Sequence, residues 1–578
     1  MDVNGWTDFR TLVDTAAYAN SKVVYVSSTD GNDGTGSAMN IDDSEIGSDP
    51  FAPTGSILPY ATISAAYGQL RDGYPDILLL KRGDTWSETL GPSGGEWSKS
   101  GRSATEPMIV AAYGSEVNAR PILKPQNYAI QTWTGGVVNY CLFSSIEIYA
   151  AHKDDASPDF IASNQPSSGI YVLSGGTSIL FEDMRLRFCG IALQSYQNPI
   201  GSVVVRRCAV ERNYALVGHA QGIFASKNTA SFNSLLVEDC VFDHNGWHPT
   251  LMTATVFSRN MYLSQIENTT TRGNIDARGA SGGIQQRRGG LCEFNLSLLN
   301  PIAISVGHPE NDAGSVTSGT IRYNAILDGR FAGTIARGFG IGIGSGDQNI
   351  TVTGVHVHDN IITSGANASS NVYGIHNNSN DARIENNIVY DWWEADDLQS
   401  FGAYGHSMEV GSLSTNSVVT GNTFYQPTAG FVVYAASGVP SGLVFTNNHY
   451  QTVNDAPNQV RYEGSHITLS AWLTITSESN TPPSHLLPTP ADVKIAAYLT
   501  YIGETGNLDE FMTGATSNRR GAWDTDYTAP VVINWARSQF GLTELAYSYE
   551  SALPSSTSGN RPLTRALTRG LTRSLSAG

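Results

Sequence analysis

The sequence predicts an all-β solenoid, a chain wound into stacked coils, on two observations. Ten short β-type runs, FEDMRLRF, VVVRRCAV, LLVEDCVF, TTRGNIDA, CEFNLSLL, TIRYNAIL, VHVHDNII, ARIENNIV, VVTGNTFY and LVFTNNHY, align on one column: Met184, Cys208, Cys240, Asn274, Asn295, Asn324, Asn360, Asn387, Asn422 and Asn448. Seven of these ten are Asn, and successive members lie 21 to 36 residues apart, a spacing that marks a repeat architecture.

Each run is too short to bury its own apolar face, so it must stack on the next coil at about 4.8 Å. Asn is depleted in ordinary strands, but identical Asn side chains at that spacing can bond one another in a ladder. A buried Asn without such partners would cost roughly 1–3 kcal/mol. Hairpin turns of a β-sandwich are the competing reading. Asn-Gly pairs are scarce, however, and the spacing exceeds the ~8–12 residues of sandwiches.

Residues 1–125 read as an N-terminal cap module leading into the first coils. VVYV is a strand, DGNDGTG a turn-rich loop, ATISAAYGQL has helical spacing, and ILLL is a fully buried strand. A helix there suits a cap, since an uncovered terminal coil exposes strand edges. Residues 126–480 carry the repeat, with loops of unequal length, where binding sites are usually built. TPPSHLLPTP is a linker, and ADVKIAAYLTYIG, LDEFMTGA and TAPVVINWARSQFG predict a small helical appendage over 481–545, packed against the last coils. In the 546–578 tail Leu563, Leu567, Leu571 and Leu575 recur every four residues, with Arg565, Arg569 and Arg573 between them. That stripe suits an anchor to a virion protein partner; Thr and Gly570 weaken the helix, and simple disorder is the alternative.

Only 15% of residues are charged, Gly numbers 59, and the net charge is −18. That balance repels phosphate backbones, so no nucleic-acid partner is expected. The five cysteines, Cys141, Cys189, Cys208, Cys240 and Cys292, lack metal-type spacing and read as small buried apolar residues. No run of ~18 apolar residues occurs, so no membrane insertion is expected. The N-terminus shows no basic segment followed by an apolar one. A virion or extracellular protein without a visible signal is therefore expected, phage assembly being one exit route and a mature form lacking its leader the other.

YVSSTDGNDGTG followed by PYATISAA resembles the opening of right-handed parallel β-helix proteins, among them pectate-lyase-like polysaccharide-degrading enzymes. LLLKRGDTW, SGRSATEPMIVAAYGSE, NARPIL, RNMYL through GIQQRRGG, and Pro488 to Leu542 resemble a group of bacterial and phage β-helix repeat proteins. The resemblance covers most of residues 20 to 545. It implies a right-handed parallel β-helix with an N-terminal cap and a C-terminal helical appendage; a polysaccharide depolymerase of the tailspike kind is expected, lyase ahead of hydrolase, with a non-catalytic glycan-binding phage fibre and a purely structural virion spike as the alternatives. It transfers no catalytic motif. A homotrimer is what the spike resemblance implies; the residues themselves fix no number.

The densest polar constellation spans 239–290: Asp239, Asp243, His244, His248, Arg259, Tyr262, Asp276, Arg278, Gln285, Arg287 and Arg288. An arginine-rich stretch in an acidic protein suits an anionic, uronate-type glycan. β-Elimination needs a group that neutralises the carboxylate and a base for the neighbouring proton. Arg259, Arg278 and Arg287 suit the first task by their planar fork, and His244, His248 or Tyr262 the second. Arg288 and Gln285 are expected to bind substrate. Hydrolysis needs two carboxyls roughly 5–9.5 Å apart, which Asp239 or Asp243 with Asp276 in the following coil, or Asp347, Asp359 and Glu385, would have to supply. The blander readings are an ion ladder joining Arg287 and Arg288 to Asp276 and Glu293, and loop caps for His244 and His248 around Trp247.

Trp392 and Trp393 are adjacent, so on a strand only one points inward and the other is a platform for sugar rings, with Tyr373, Tyr390 and Tyr404 extending the strip. A hydrophobic loop brace is the alternative. No cofactor is expected. Asp30, Asn32 and Asp33 offer calcium-type oxygens without the full loop pattern, and read as a plain turn.

Overall fold

The protein is described here from a computed structural model that covers residues 5–548 except 15, 133–135, 163–167, 308–315, 330–337, 345–350, 364–371, 393–404 and 429. The Leu and Arg repeats of the tail, Trp393, Tyr404 and Asp347 lie outside the described residues. The strands stack into three long sheets of 16, 13 and 13 strands. Among the described residues, pairing between strands of these sheets is parallel except at the two ends, where Lys22–Val26 pairs with Met39–Asn40 and Val460–Tyr462 with Ser465–Ile467. One coil visits the sheets in turn: Ile179–Glu182 in sheet 1, Arg185–Arg187 in sheet 2, Gly190–Ser195 in sheet 3, then Ile200–Arg206 back in sheet 1 one layer on. The chain is a parallel β-helix.

The amide ladder lies at the corner between sheets 1 and 2. Asn295 donates its backbone N–H (2.9 Å) and its Nδ2 (2.9 Å) to Oδ1 of Asn324. Asn324 does the same to Asn360, Asn360 to Asn387, Asn387 to Asn422 and Asn422 to Asn448. Cys208 and Cys240 fill the earlier rungs, and the Cys240 N–H donates to Asn274. Every ladder residue from Met184 to Asn448 follows one with φ of 51 to 67°, including the bulky Phe294 and Tyr323. Left-handed backbone is unfavourable for such side chains. The paired amide bonds of the next residue hold the corner in that shape. All five cysteines are buried and unbridged.

Both ends of the interior are plugged. Thr62 caps the helix Ile63–Tyr67 by accepting from the Ala65 N–H, and Ile63, Ala66 and Tyr67 pack on Val24, Val26 and Trp97. At the far end the helix Leu469–Thr476 buries Trp472 against Phe445. The DGNDGTG loop braces the first plug. Asp33 accepts from the N–H groups of Ala61 (2.8 Å) and Thr62 (3.0 Å), and Asp30 pairs with Lys81. These oxygens already serve protein donors, and the described residues contain no cluster of metal-ligating side chains.

The outer faces differ. In the first coils the outer residues of sheet 1, Val23, Tyr25, Leu79, Ile109, Leu142 and Leu180, are roofed by Phe9, Val13, Tyr18 and Ile46 from the N-terminal segment. The appendage, expected on the last coils, instead runs back along sheet 2. Helices Leu508–Ser517 and Ala529–Gln539 cover Ala209, Val241, Ile275, Leu296, Leu327 and Ile388. An apolar outer column on sheet 2 is the physical reason, since each of these residues would otherwise face water. No helix among the described residues is long and apolar enough to cross a membrane.

At the far end of the sheet 1 strands an alternating ion ladder starts beside the roofed residues and runs on beyond them. Glu182, Arg206, Glu238, Arg272, Glu293 and Arg322 occupy one column, one per coil. Arg206 Nε lies 2.8 Å from Glu238, and Arg322 lies 2.7 Å from Glu293. The partner expected for Glu293 between coils was Arg287 or Arg288; the register gives that place to Arg272 and Arg322.

Candidate functional site

Sheet 3 is the face that neither the N-terminal segment nor the appendage covers. Alternation along its strands sends one column outward: Tyr171, Ala192, Phe224, Tyr262, Gln285, Ser305, Gly342, His376, Glu409, Tyr434 and Arg461. Ten layer steps give a stripe roughly 48 Å long. Except for Ala192 and Gln285 its members are half-buried.

At Gly342 an added Cβ would meet nothing within 4 Å, so the stripe dips to bare backbone there. One layer on stands His376, stacked on Phe339 with ring centroids 5.6 Å apart. Its Nδ1 is hydrogen-bonded to the Glu409 carboxylate of the next coil. Nε2 has no hydrogen-bond partner among the described residues. Tyr373 packs beside His376 at 6.0 Å and stacks with Tyr434 at 6.2 Å. Burial, reinforced by the charge of Glu409, pushes the Tyr373 hydroxyl pKa far up, so it stays protonated. The Arg461 guanidinium lies 4.5 Å over the Tyr434 ring.

This set contains a base with an orienting carboxylate, a protonated phenol and a cation. Sequence reading missed His376, Glu409, Tyr434 and Arg461, and took Tyr373 only as an aromatic. The available signal was the third strand of each coil, YGIHN, HSMEV and VVYA, which alternates apolar inward and polar outward.

The predicted constellation is split among three environments. Tyr262, Gln285 and Arg287 lie together on the sheet 3 stripe, with the Arg287 guanidinium 4.7 Å over the Tyr262 ring and Arg288 half-buried at the turn that follows. Asp243 and Arg278 form a bidentate pair on sheet 2, with Nε to Oδ1 at 2.8 Å, and Asp509 of the appendage closes over the same guanidinium. Burial raises the Asp243 pKa and Arg278 opposes the shift. His244 stacks on Trp247 at 3.8 Å, whose Nε1 donates to the Arg278 carbonyl. His248 Nδ1 accepts from the Leu251 N–H at 3.2 Å, and its ring lies against Tyr214. These four serve as loop braces and an appendage clamp. The appendage itself denies a polymer access to Asp243 and Arg278. Arg259 is buried in the loop before sheet 3, beside Gly282.

Asp276 is a correction of a different kind. It occupies the interior column of sheet 2 between Phe242 and Ser297, fully buried, and accepts from Asn260 Nδ2 (2.8 Å) and the Ser297 hydroxyl (3.0 Å). Burial pushes its pKa up to about 7. No substrate reaches the inside of the coil. Trp392 is likewise interior, fully buried, donating from Nε1 to the Gly338 carbonyl at 3.1 Å. The buried Tyr390 hydroxyl is bonded to the Pro488 carbonyl.

No family model matches the chain, and no curated protein matches it. Among solved structures it is similar to a rhamnogalacturonan lyase (11% identity, 70% of this chain and 87% of that one, TM-score 0.32). It is also similar to an alginate lyase from Paenibacillus sp. str. FPU-7 (16%, 70% and 96%, 0.23) and to a GH136 lacto-N-biosidase from Eubacterium ramulus (13%, 76% and 68%, 0.25). By the pairing of its own strands, the chain is a parallel β-helix repeat protein.

Proposed function

We propose that this protein engages a long polysaccharide along the outer face of sheet 3 and acts on it as a depolymerase at His376. One observation carries the reading: a half-buried imidazole, tied through Nδ1 to a carboxylate and, among the described residues, open at Nε2, on the face that the described N-terminal segment and appendage leave uncovered. Glu409 fixes the tautomer and stabilises the imidazolium, which suits Nε2 to take a proton. A lyase is favoured over a hydrolase because Glu409 is the sole carboxylate among the described members of the stripe, whereas hydrolysis calls for two. In an elimination His376 removes the proton next to a uronate carboxylate and Tyr373 supplies a proton to the departing oxygen, while Arg461, three coils along, holds a further uronate of the same polymer. A protein acting on such a substrate would work outside the cell, free or on a virion.

A glycan-holding fibre without turnover is the second reading. The aromatic members Tyr171, Phe224 and Tyr262 support it, because they continue the stripe far beyond His376. Incubation with a panel of uronate polysaccharides separates the two. Ultraviolet absorbance from an unsaturated product is the expected result; new reducing ends without it would mean hydrolysis. Retention of glycan with neither change would leave the fibre, and no retention at all would overturn both.

A further inference from the structure

On another side of the solenoid, the N-terminal segment, the outer face of sheet 1 and the returning appendage enclose a cavity of about 1100 Å³. Its apolar wall is formed by Trp6, Phe9, Phe51 and Trp523. Arg82 lines it, is only 6% exposed, and has a fully buried Nη1 without a hydrogen-bond partner. No hydrogen bond or ion pair links its guanidinium to any described residue.

The neighbouring arginines are engaged. Arg520 Nη2 donates to Glu182 (2.8 Å) and to the Thr7 carbonyl (2.9 Å), Arg10 pairs with Asp49 at 2.7 Å, and Arg120 pairs with Asp183. Of the two carboxylates on the wall, Asp8 is occupied by the Thr11 N–H (3.1 Å) and hydroxyl (2.6 Å). Glu116 stands at the rim without a bond to Arg82. A buried cation without a bonded counter-charge among the described residues is costly, and burial disfavours the charged form of Arg82 although the charges of Asp183 and Glu116 oppose this. A bound anion would remove that cost.

We propose that this cavity is a binding site for a small oxyanion ligand, a carboxylate or phosphate, carried on a ring-sized body that fits between the walls bearing Phe51 and Trp523, with Arg82 as the cation that meets the oxyanion. Arginine's planar donors match either group bidentately. The walls come from residues 6–10 and 520–525, so occupancy ties both terminal segments to the first coils. The site is independent of the sheet 3 reading.

Calorimetric titration of the full chain with D-glucuronate, benzoate and inorganic phosphate tests the proposal. Saturable binding of at least one probe, with a rise in melting temperature, is expected. Glucuronate or benzoate binding would identify a carboxylate on a ring; phosphate alone would identify a phosphate ligand. Arg82→Gln should weaken binding at least tenfold. Arg82→Lys, which keeps the charge and loses the fork, should fold and bind several-fold more weakly. Glu116→Gln removes the competing carboxylate at the rim and should tighten binding. The proposal is overturned if no probe binds, if both Arg82 variants bind like the parent, or if Glu116→Gln loses both affinity and stability.

Discussion

Glu478 Oε1 accepts the backbone N–H of Asn448 at 2.9 Å and its Nδ2 at 2.8 Å, the same two donors that every earlier ladder Asn offers to the next. The other carboxylate oxygen takes the Tyr450 hydroxyl at 2.7 Å. A glutamate placed just after the plugging helix therefore stands in for the coil that never comes. Glu478→Ala should strand these buried donors and cost on the order of 1–3 kcal/mol, read as a lower melting temperature. Glu478→Gln keeps Oε1 and should cost clearly less. Equal effects of the two substitutions would show that the ladder needs no terminal acceptor.

Arg206 sits between Glu182 (3.6 Å) and Glu238 (2.8 Å) with its side chain 1% exposed. Arg206→Met would leave buried Glu182 with Arg520 and buried Glu238 with only Arg272 at 3.6 Å, a change worth roughly 3 kcal/mol. Arg322 ends the same ladder with a side chain 34% exposed. Arg322→Met should cost only about 0–1 kcal/mol. Urea unfolding of the two variants checks the contrast, and similar losses would argue that the ladder acts as a unit and not by burial.

Asp276 gives the interior a pH dependence. Its folded pKa of about 7 lies above the ordinary 3.8, so the folded state holds the proton more tightly. The stability it contributes is complete below about pH 4 and is lost as pH rises through 7. Asp276→Asn cannot ionise and keeps an oxygen for Asn260. The melting temperature of the parent should therefore fall relative to this variant between pH 4 and 8, and parallel curves would contradict the assignment. Gly283→Ala should be poorly tolerated at any pH, because its Cβ would lie 1.9 Å from the Asp276 carboxylate.

The solenoid and its amide column were legible in the sequence because the ladder demands one residue type at one place in every coil. The site was not, for a geometric reason. Residues close in sequence, such as Asp243, Tyr262 and Asp276, are dealt around the perimeter onto sheet 2, sheet 3 and the interior. Residues that meet, such as His376 and Glu409, are 33 apart, with a loop of unrelated length between them. A dense run of polar residues along the chain thus marks a belt around the coil and not a cluster. The direction taken by the appendage was equally hidden, since the apolar outer column of sheet 2 is contributed one residue per coil.

The sheet 3 stripe yields a sharper expectation than any single coil. If His376 is the base, His376→Ala should lower kcat by about 10²–10⁴ while leaving the melting temperature nearly unchanged, because its ring is half-exposed. Glu409→Gln keeps a hydrogen-bonding side chain but loses the charge that steadies the imidazolium, so its kcat should fall as well. Arg287→Ala, on a coil three layers away and reaching over Tyr262, should raise KM and spare kcat, since it can only hold the polymer. A stripe that only binds would behave differently: all three variants would change glycan affinity in proportion to lost contact area. Full turnover in both His376→Ala and Glu409→Gln would remove the reaction from this face altogether.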